Sequence, residues 1–441
     1  MNGMRYRLRR VLDSFWFVPG LGLLLALVVA EALVAVEPVL PVAIDEILPA
    51  VGPDGSRGLL SAIATSMLAA AATTFSITIA VLTLTSSAYG PRLVRSLMAD
   101  RGNQVVLALL VSTSLFAMLV VRHVRAGADS EFVPHLAVNV AIVLAVASIV
   151  ALVYFIHHIS ASIQISRLAS GVRAQLVALL DDLYPERGAA GRAPAAQWAT
   201  IEGGAEVRAR ASGYVASIDH AHLVSKACAA GARVELRVRP GTLVCAGDPI
   251  ARVSSSTAPS TGPQEAARLK TAVLAAISID DERTPVQDAE HLVRQLVDVA
   301  ARALSPGVND PITALTAIDA LTIALASAAG RPDPSRVLLD DAGAPRLLVA
   351  PRELSALAVD AVDIIRQYVG DQPLVAHRLL DLLERLIARE GASGGVAAAR
   401  TAAYRDAGDR VARSAIGPGT LAEDAAALER RRATIVQGGA S

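Results

Sequence analysis

One short segment of the sequence, "ALSPGVNDPITAL", collects side chains that can bind or activate a ligand. A serine hydroxyl, an asparagine amide and an aspartate carboxylate lie within residues 305–310. Beside the start of a helix, where backbone N–H groups point outward, such groups form a polar pocket suited to an anion. The segment therefore predicts a candidate pocket for a small ion or an anionic ligand, made of Ser305, Asn309, Asp310, Thr313 and Asp298.

The same segment also fits a corner between two helices. Gly307 can adopt the left-handed conformation that ends a helix, and Asp310 followed by Pro311 is typical of an N-cap with proline in the first turn. This interpretation does not explain the serine and the asparagine of the segment. A serine nucleophile needs a base, and nothing in the sequence brings His291, more than three turns earlier, to the serine. We therefore assign no catalytic residue here.

Other patterns that carry chemistry are missing from the sequence. It contains no GxxxxGK[ST], HExxH, GxSxG or CxxC motif. Cys228 and Cys245 are its two cysteines, too few for a disulfide framework, and we expect both to be reduced. The 41 basic and 41 acidic residues cancel, which argues against nucleic acid as a partner. We expect a non-enzymatic protein with no metal and no cofactor.

Four apolar segments lie in the first 160 residues, and any functional residue within the membrane must lie on one of them. They cover residues 15–36, 59–87, 105–121 and 132–156. Each is near or above the roughly 20 residues that a helix needs to cross about 30 Å of hydrocarbon. No A-x-A-like cleavage site follows the first segment, so it is interpreted as an anchor and not as a removed signal peptide. The sequence predicts four transmembrane helices in contact with the lipid bilayer.

Basic residues near the ends of these segments predict the orientation of the chain. Arginines are frequent in the N-terminal tail, in the loop after the second segment, and after the fourth, and rarer in the other two loops. The positive-inside rule then places both termini in the cytoplasm of a multi-pass protein of the bacterial inner membrane. Pro91 and Arg92 fall in the second of these basic regions, a membrane-proximal loop.

Polar residues inside the apolar segments are the remaining candidates. An intramembrane carboxylate is a functional hypothesis by default, but Glu31 lies toward the outer end of its segment, where snorkelling to the interface is favoured. Hydroxyls of the second segment fall on two opposed stripes, which favours a helix packed between neighbours over one that lines a lumen. The candidates are Glu31, Thr74, Ser76, Thr78, Thr83, Thr85 and Ser87.

The sequence after residue 160 predicts a cytoplasmic α+β body. Residues 161–199 form an amphipathic connecting helix and a linker, and residues 200–254 alternate apolar and polar positions as half-buried strands do. Residues 265–435 are mainly helical, with a β-hairpin near 336–350. The fold class is a mainly α membrane protein, with four transmembrane helices (1–160), a small β-barrel-like unit and a helical domain.

The sequence resembles an uncharacterised bacterial integral-membrane family, domain of unknown function 2254. The resemblance rests on "QLVDVAARALSPGVNDPITAL" and "DERTPVQDAE", on "SSAYGPRLVRSLMADRGNQ", on "SGYVASID" and "RPGTLVCAGDP", and on "IRQY" and "RLLDLLERL". It covers nearly the whole chain. The family's more usual Ser-Pro-Arg is Gly-Pro-Arg here, at residues 90–92, which argues against a role for a hydroxyl at Gly90. The resemblance implies the membrane topology and no established activity.

Three functional hypotheses follow from the sequence. The leading one is a channel- or transport-like homo-oligomer regulated by its cytoplasmic body, because four helices per chain enclose little on their own. The second is a membrane-tethered scaffold or envelope-stress protein that binds partners through its helical body. The third, a membrane-bound enzyme, is the least supported because the common catalytic motifs are missing.

Overall fold

The computed structural model describes most of the chain. The described residues are 15–37, 52–89, 100–125, 132–162, 165–184, 198, 201, 204–255, 263–370, 372–390 and 394–437. They divide into two compact units, one ending at Leu168 and the other beginning at Ala169. The membrane-proximal loop residues Pro91 and Arg92 lie outside the described residues.

The described residues of the first unit form four long helices, α1 (Phe17–Val36), α2 (Pro53–Tyr89), α3 (Arg101–Val121) and α4 (His135–Ser162). Helix α3 is central and packs against each of the other three. Asp100 caps its start by accepting a hydrogen bond from the Gly102 N–H. The exposed residues of α1 and α4 are largely Leu, Val and Ile, as expected for helices surrounded by lipid.

Among the described residues, five helices are long and apolar enough to cross a membrane by length and composition. They cover Phe17–Val36, Pro53–Leu84, Arg101–Val121, His135–Ile159 and Pro311–Ala328. The first four correspond to the apolar segments of the sequence. The fifth, not expected as a span, belongs to the second unit and has the lowest mean hydropathy of the set, 1.5.

The second unit contains nine helices and eight strands among its described residues. In chain order they are α5 (Ile165–Leu183), β1 (Ala205–Arg208), β2 (Gly213–Ile218), α6 (His220–Ala229), β3 (Ala232–Leu236), β4 (Leu243–Val244), β5 (Pro249–Ser255), α7 (Pro263–Ala276), β6 (Ile277–Asp280), α8 (Ala289–Ala303), α9 (Pro311–Ala328), β7 (Val337–Leu339), β8 (Pro345–Leu348), α10 (Leu354–Arg366), α11 (Pro373–Glu390), α12 (Gly394–Ser414) and α13 (Ala422–Gln437). The protein is thus mainly helical with some sheet.

The strands form two sheets that share one hydrophobic core. One sheet has the order β1-β5-β3-β8-β7 and the other β4-β2-β6. The β7–β8 hairpin joins the first sheet through β8, which lies parallel to β3 with Val234 opposite Leu347. Val215 and Ile218 of the smaller sheet, with Val253 of the larger one, contribute to the common core. The sheets therefore include a hairpin that is distant in sequence from the other strands.

A buried ionic cluster connects the last helices of the second unit. The Arg400 side chain is 3% exposed and contacts carboxylate oxygens of both Asp333 and Glu390, the latter at 3.2 Å. Tyr404 donates a hydrogen bond to Glu390 at 3.5 Å, and burial followed by the Glu390 charge raises the pKa of its phenol. Because the charges are removed from water, each depends on its partners for stabilisation.

We predict that Glu390→Gln lowers the melting temperature of the detergent-solubilised protein by about 10 °C. Removing one partner of a buried ion pair costs about 3–5 kcal/mol because the other charge stays buried. The matched control is Glu429→Gln, whose pair with Arg432 is half-exposed and is worth less than about 1 kcal/mol. Equal shifts for the two variants would contradict the account.

Candidate functional site

The "SPGVNDP" segment forms the corner between α8 and α9. Asp310 accepts a hydrogen bond from the Thr313 N–H at 3.1 Å and one from the Thr313 hydroxyl at 2.6 Å. These bonds lower the pKa of Asp310, with the hydroxyl as the largest cause. Because the folded-state pKa is lowered, the ionised cap stabilises the fold at pH values above the ordinary pKa of Asp. This stabilisation is lost as the pH falls through the folded-state pKa. Asp310 and Thr313 are therefore engaged with each other as a helix cap.

The left-handed residue of the corner is Asn309 and not Gly307. Asn309 has a φ of 46°, whereas Gly307 is not among the positive-φ residues. The expectation for Gly307 was wrong because α8 ends at Ala303, its C-cap residue Leu304 is right-handed, and the turn continues for several residues. Asparagine tolerates positive φ better than most residues. This finding gives Asn309 the structural role that the sequence pattern had left open.

The other members of the candidate pocket have structural partners as well. The Ser305 hydroxyl donates to the Arg302 carbonyl at 2.6 Å, and the Asn309 side chain accepts from the Gln372 amide at 2.9 Å, just before α11. Asp298, which is partly buried, lies on α8 and also takes part in interactions. The described contacts explain the segment as a corner tied to α11, so an anion pocket stays a prediction.

The segments that carry the family resemblance contact one another in the second unit. Gln287 pairs with the backbone of Ile218, accepting from its N–H at 2.9 Å. Arg283 donates to both oxygens of Asp288, which also caps α8. A Cβ at Gly241, whose φ is +86°, would lie 2.3 Å from an Asp288 oxygen. These contacts place "SGYVASID" and "RPGTLVCAGDP" against "DERTPVQDAE". Residue types at single positions gave no sign of these long-range contacts.

The first unit, with its four apolar helices α1 to α4, is here named the membrane unit. In it, the structure separates the two hydroxyl stripes of α2. Thr74 and Thr78 are buried, and each donates to the carbonyl four residues earlier. Ser76 and Thr83 are exposed on the opposite side, with the same type of backbone bond. Such bonds satisfy the hydroxyls within the helix itself. The side chains of Thr85 and Ser87 lie outside the described residues.

The exposed stripe extends into a longer surface of small side chains, here named the α2 small-residue face. Successive members are three or four residues apart, which places them within about 100° of the helix circumference. The face runs for about 38 Å, more than the roughly 30 Å of hydrocarbon. All its members are exposed, namely Gly58, Ala62, Ser66, Ala69, Thr73, Ser76, Ala80 and Thr83.

Hydroxyls and small residues also hold the interior of the membrane unit. Ser114 of α3 donates to the Ala64 carbonyl of α2 at 2.8 Å, and Thr113 and Ser148 are 2.9 Å apart across α3 and α4. A Cβ at Gly22 of α1 would lie 2.7 Å from the Ser112 hydroxyl. Close backbone approach and interhelical hydrogen bonds are the usual means of helix association in lipid. The same residue types on the outer side of α2 have no described neighbour of this kind.

Polar side-chain contacts lie at both ends of the membrane unit. Glu31 is paired with Arg122 at 2.5 Å and lies 3.7 Å from His123, so the snorkelling carboxylate has a cationic partner that the sequence analysis did not identify. At the other end, His158 contacts Asp100 at 2.8 Å and stacks on Tyr154. These contacts place the charges at helix ends, where water and headgroups are accessible.

No group of three metal-ligating side chains occurs among the residues that the structure describes. Cys228 and Cys245 are free and exposed.

Comparison with known proteins gives the same membrane assignment. A family model described as "Predicted membrane protein (DUF2254)" matches residues 12–385. An uncharacterized protein of Mycobacterium bovis and one of Mycobacterium tuberculosis are each 32% identical over 393 residues, covering 87% of this chain and 74% of the relative. No solved structure matches the chain.

We predict that Asp310→Ala lowers the melting temperature by about 2–4 °C, the effect of losing a helix cap worth about 1 kcal/mol. Asp310→Asn should lower it less, because an asparagine oxygen still accepts from the Thr313 N–H. Thermal unfolding of both variants at neutral pH checks this. If alanine and asparagine are equally damaging, or if neither has an effect, the capping role is refuted.

Proposed function

This chain belongs to the family of predicted membrane proteins DUF2254. We propose that it forms a channel- or transport-like homo-oligomer, regulated by its second unit, which we propose to be a soluble cytoplasmic body. The observation that carries the proposal is the α2 small-residue face. It is exposed in a single chain, it is as long as the membrane is thick, and it lies opposite the side on which α2 packs against α3.

The occupant that we propose for this face is a second copy of the chain. Small side chains allow two helices to approach closely, and the interior of the unit already uses Gly22, Ala108 and Ser112 in this way. Because lipid tails are as apolar as aliphatic side chains, burying large aliphatic groups between helices gains little free energy in a membrane. Helix contacts in membranes are therefore rich in small residues. A path for ions or solutes through the membrane would require an oligomer, because the four helices of one chain enclose little space.

The membrane arrangement that we propose has four spans, α1 to α4, in the bacterial inner membrane with both termini in the cytoplasm. The basic loops of the sequence support this orientation. Helix α9 is assigned to the soluble body, because it packs against α8, α10 and α11, and its Asp319 pairs with Arg378 at 2.5 Å. In the body, two sheets around one core support a small barrel-like unit.

Regulation by the soluble body is supported by the short connection between the two parts of the chain. Residues 163–164 alone separate α4 from α5 in the sequence. Helix α5 has one strongly apolar side, with Leu168, Val172 and Leu176 buried. The proposed coupling rests on this short separation in sequence between α4 and α5.

A scaffold function is the second candidate, and one observation favours it. Val308 and Ile312, at the corner between α8 and α9, and Leu374, at the start of α11, are each more than half exposed. The Asn309–Gln372 hydrogen bond holds the two parts of this apolar surface together. Exposed apolar patches of this kind are typical of interaction sites.

Cross-linking tests the proposed oligomer contact. In a background with Cys228→Ala and Cys245→Ala, we expect Ser76→Cys to form a cross-linked dimer under oxidation in membranes. The matched control Val146→Cys, on the exposed side of α4, should not cross-link, because that surface faces lipid. Dimers from both positions in equal yield, or from Val146→Cys alone, would reject the α2 contact.

Flux through reconstituted vesicles tests the proposed activity. We expect wild-type oligomers to pass small ions or osmolytes. Ala69→Leu should weaken association by about tenfold and reduce flux, because overpacking costs about 1–3 kcal/mol. Val146→Leu is the matched control. Cross-linkable oligomers without flux would exclude the channel and favour the scaffold.

A further inference from the structure

A groove lies between α3 and α4 at the end of the membrane unit where α3 begins. Its volume is about 560 Å³. Aliphatic side chains form its walls, and a basic and an aromatic side chain stand at one end. The residues that line it are Arg101, Gly102, Val105, Val106, Ala147, Val150, Ala151 and Tyr154.

The groove runs from the membrane surface into the hydrocarbon. Arg101 and Tyr154 mark its outer end, and Val106 and Ala147 its inner end, a rise of about 8–10 Å along the helix axes. Helix α3 has 21 residues, about the length that crosses the hydrocarbon. The first residue of α3 therefore lies at the headgroup level, while the aliphatic walls lie among acyl chains.

The outer end of the groove carries the positive charge of Arg101. Arg101 is exposed and makes no ion pair among the residues that the structure describes. The neighbouring Asp100 carboxylate is already engaged, by His158 at 2.8 Å and by the Gly102 N–H at 2.8 Å. The start of α3 adds the positive end of a helix dipole. Charge and position together favour an anion at headgroup depth.

We infer that this groove binds one anionic phospholipid, with its phosphate on the Arg101 guanidinium and an acyl chain along the aliphatic walls. Guanidinium groups bind phosphate with paired hydrogen bonds. Tyr154 stacks on His158 at the same level and gives the headgroup an aromatic border. One basic residue near a membrane surface contributes about 1 kcal/mol toward anionic lipid, or about fivefold in affinity.

Lipid titration of the delipidated full-length protein in detergent, followed by native mass spectrometry, tests this inference. We expect dioleoyl-phosphatidylglycerol to bind about fivefold more tightly than dioleoyl-phosphatidylcholine. Arg101→Gln should remove that preference, and Ala147→Phe should weaken both lipids by filling the groove. The controls are Arg122→Gln, at the opposite end of the unit, and Val143→Phe, on α4 outside the groove; both should bind as the wild type does.

Two results would overturn the inference. One is an unchanged preference for phosphatidylglycerol in the Arg101→Gln variant, and the other is wild-type binding of both lipids by Ala147→Phe. The inference requires that α3 and α4 are membrane helices and does not require oligomers or flux. A monomeric protein without flux that keeps the Arg101-dependent preference supports the lipid site while rejecting the proposed function.

Discussion

The packing of three helices around α3 is the constraint on which the membrane unit depends. In hydrocarbon every backbone polar group must be satisfied within the helices, and association depends on close packing and on bonds between side chains. Helix α3 meets this requirement with Ser112, Thr113 and Ser114, which face α1, α4 and α2 in turn. Because α1, α2 and α4 each pack one side against α3, the opposite side of each helix faces outward. On α1 and α4 that side is aliphatic, and on α2 it is small and hydroxylated.

The second unit is stabilised differently, by hydrophobic cores and by polar contacts between its elements. Its long-range order depends on polar contacts between distant segments, such as Arg283 with Asp288 and Arg400 with Glu390. The corner before α9 belongs to the same class of contact. Its polar side chains cap a helix and connect to Gln372. The motif that is most distinctive in the sequence therefore forms a helix corner whose polar side chains have structural partners, and a ligand pocket there stays a prediction.

Local patterns in the sequence were sufficient for the elements and insufficient for their contacts. In the region expected to be mainly helical, α9 begins at Pro311 and α11 at Pro373, because Asp310 and the two prolines favour a helix start at those positions. The partners of Glu31 and Asp100 could not be predicted, because ion pairs between helix ends depend on how the helices pack. For the same reason the sequence showed two hydroxyl stripes on α2 but not which of them is buried. The left-handed residue was misassigned to Gly307, since glycine tolerates positive φ by itself, whereas the choice of Asn309 depends on the whole turn.

We propose above all that the outer side of α2 is a contact between copies of this chain. A structure of the full-length protein in lipid nanodiscs, determined by electron cryo-microscopy, tests it most directly. We expect an oligomer in which Ala69 and Ser76 lie at the contact between neighbouring chains, within van der Waals distance of the adjacent subunit. A monomer, or an oligomer in which these residues face ordered lipid, would contradict it.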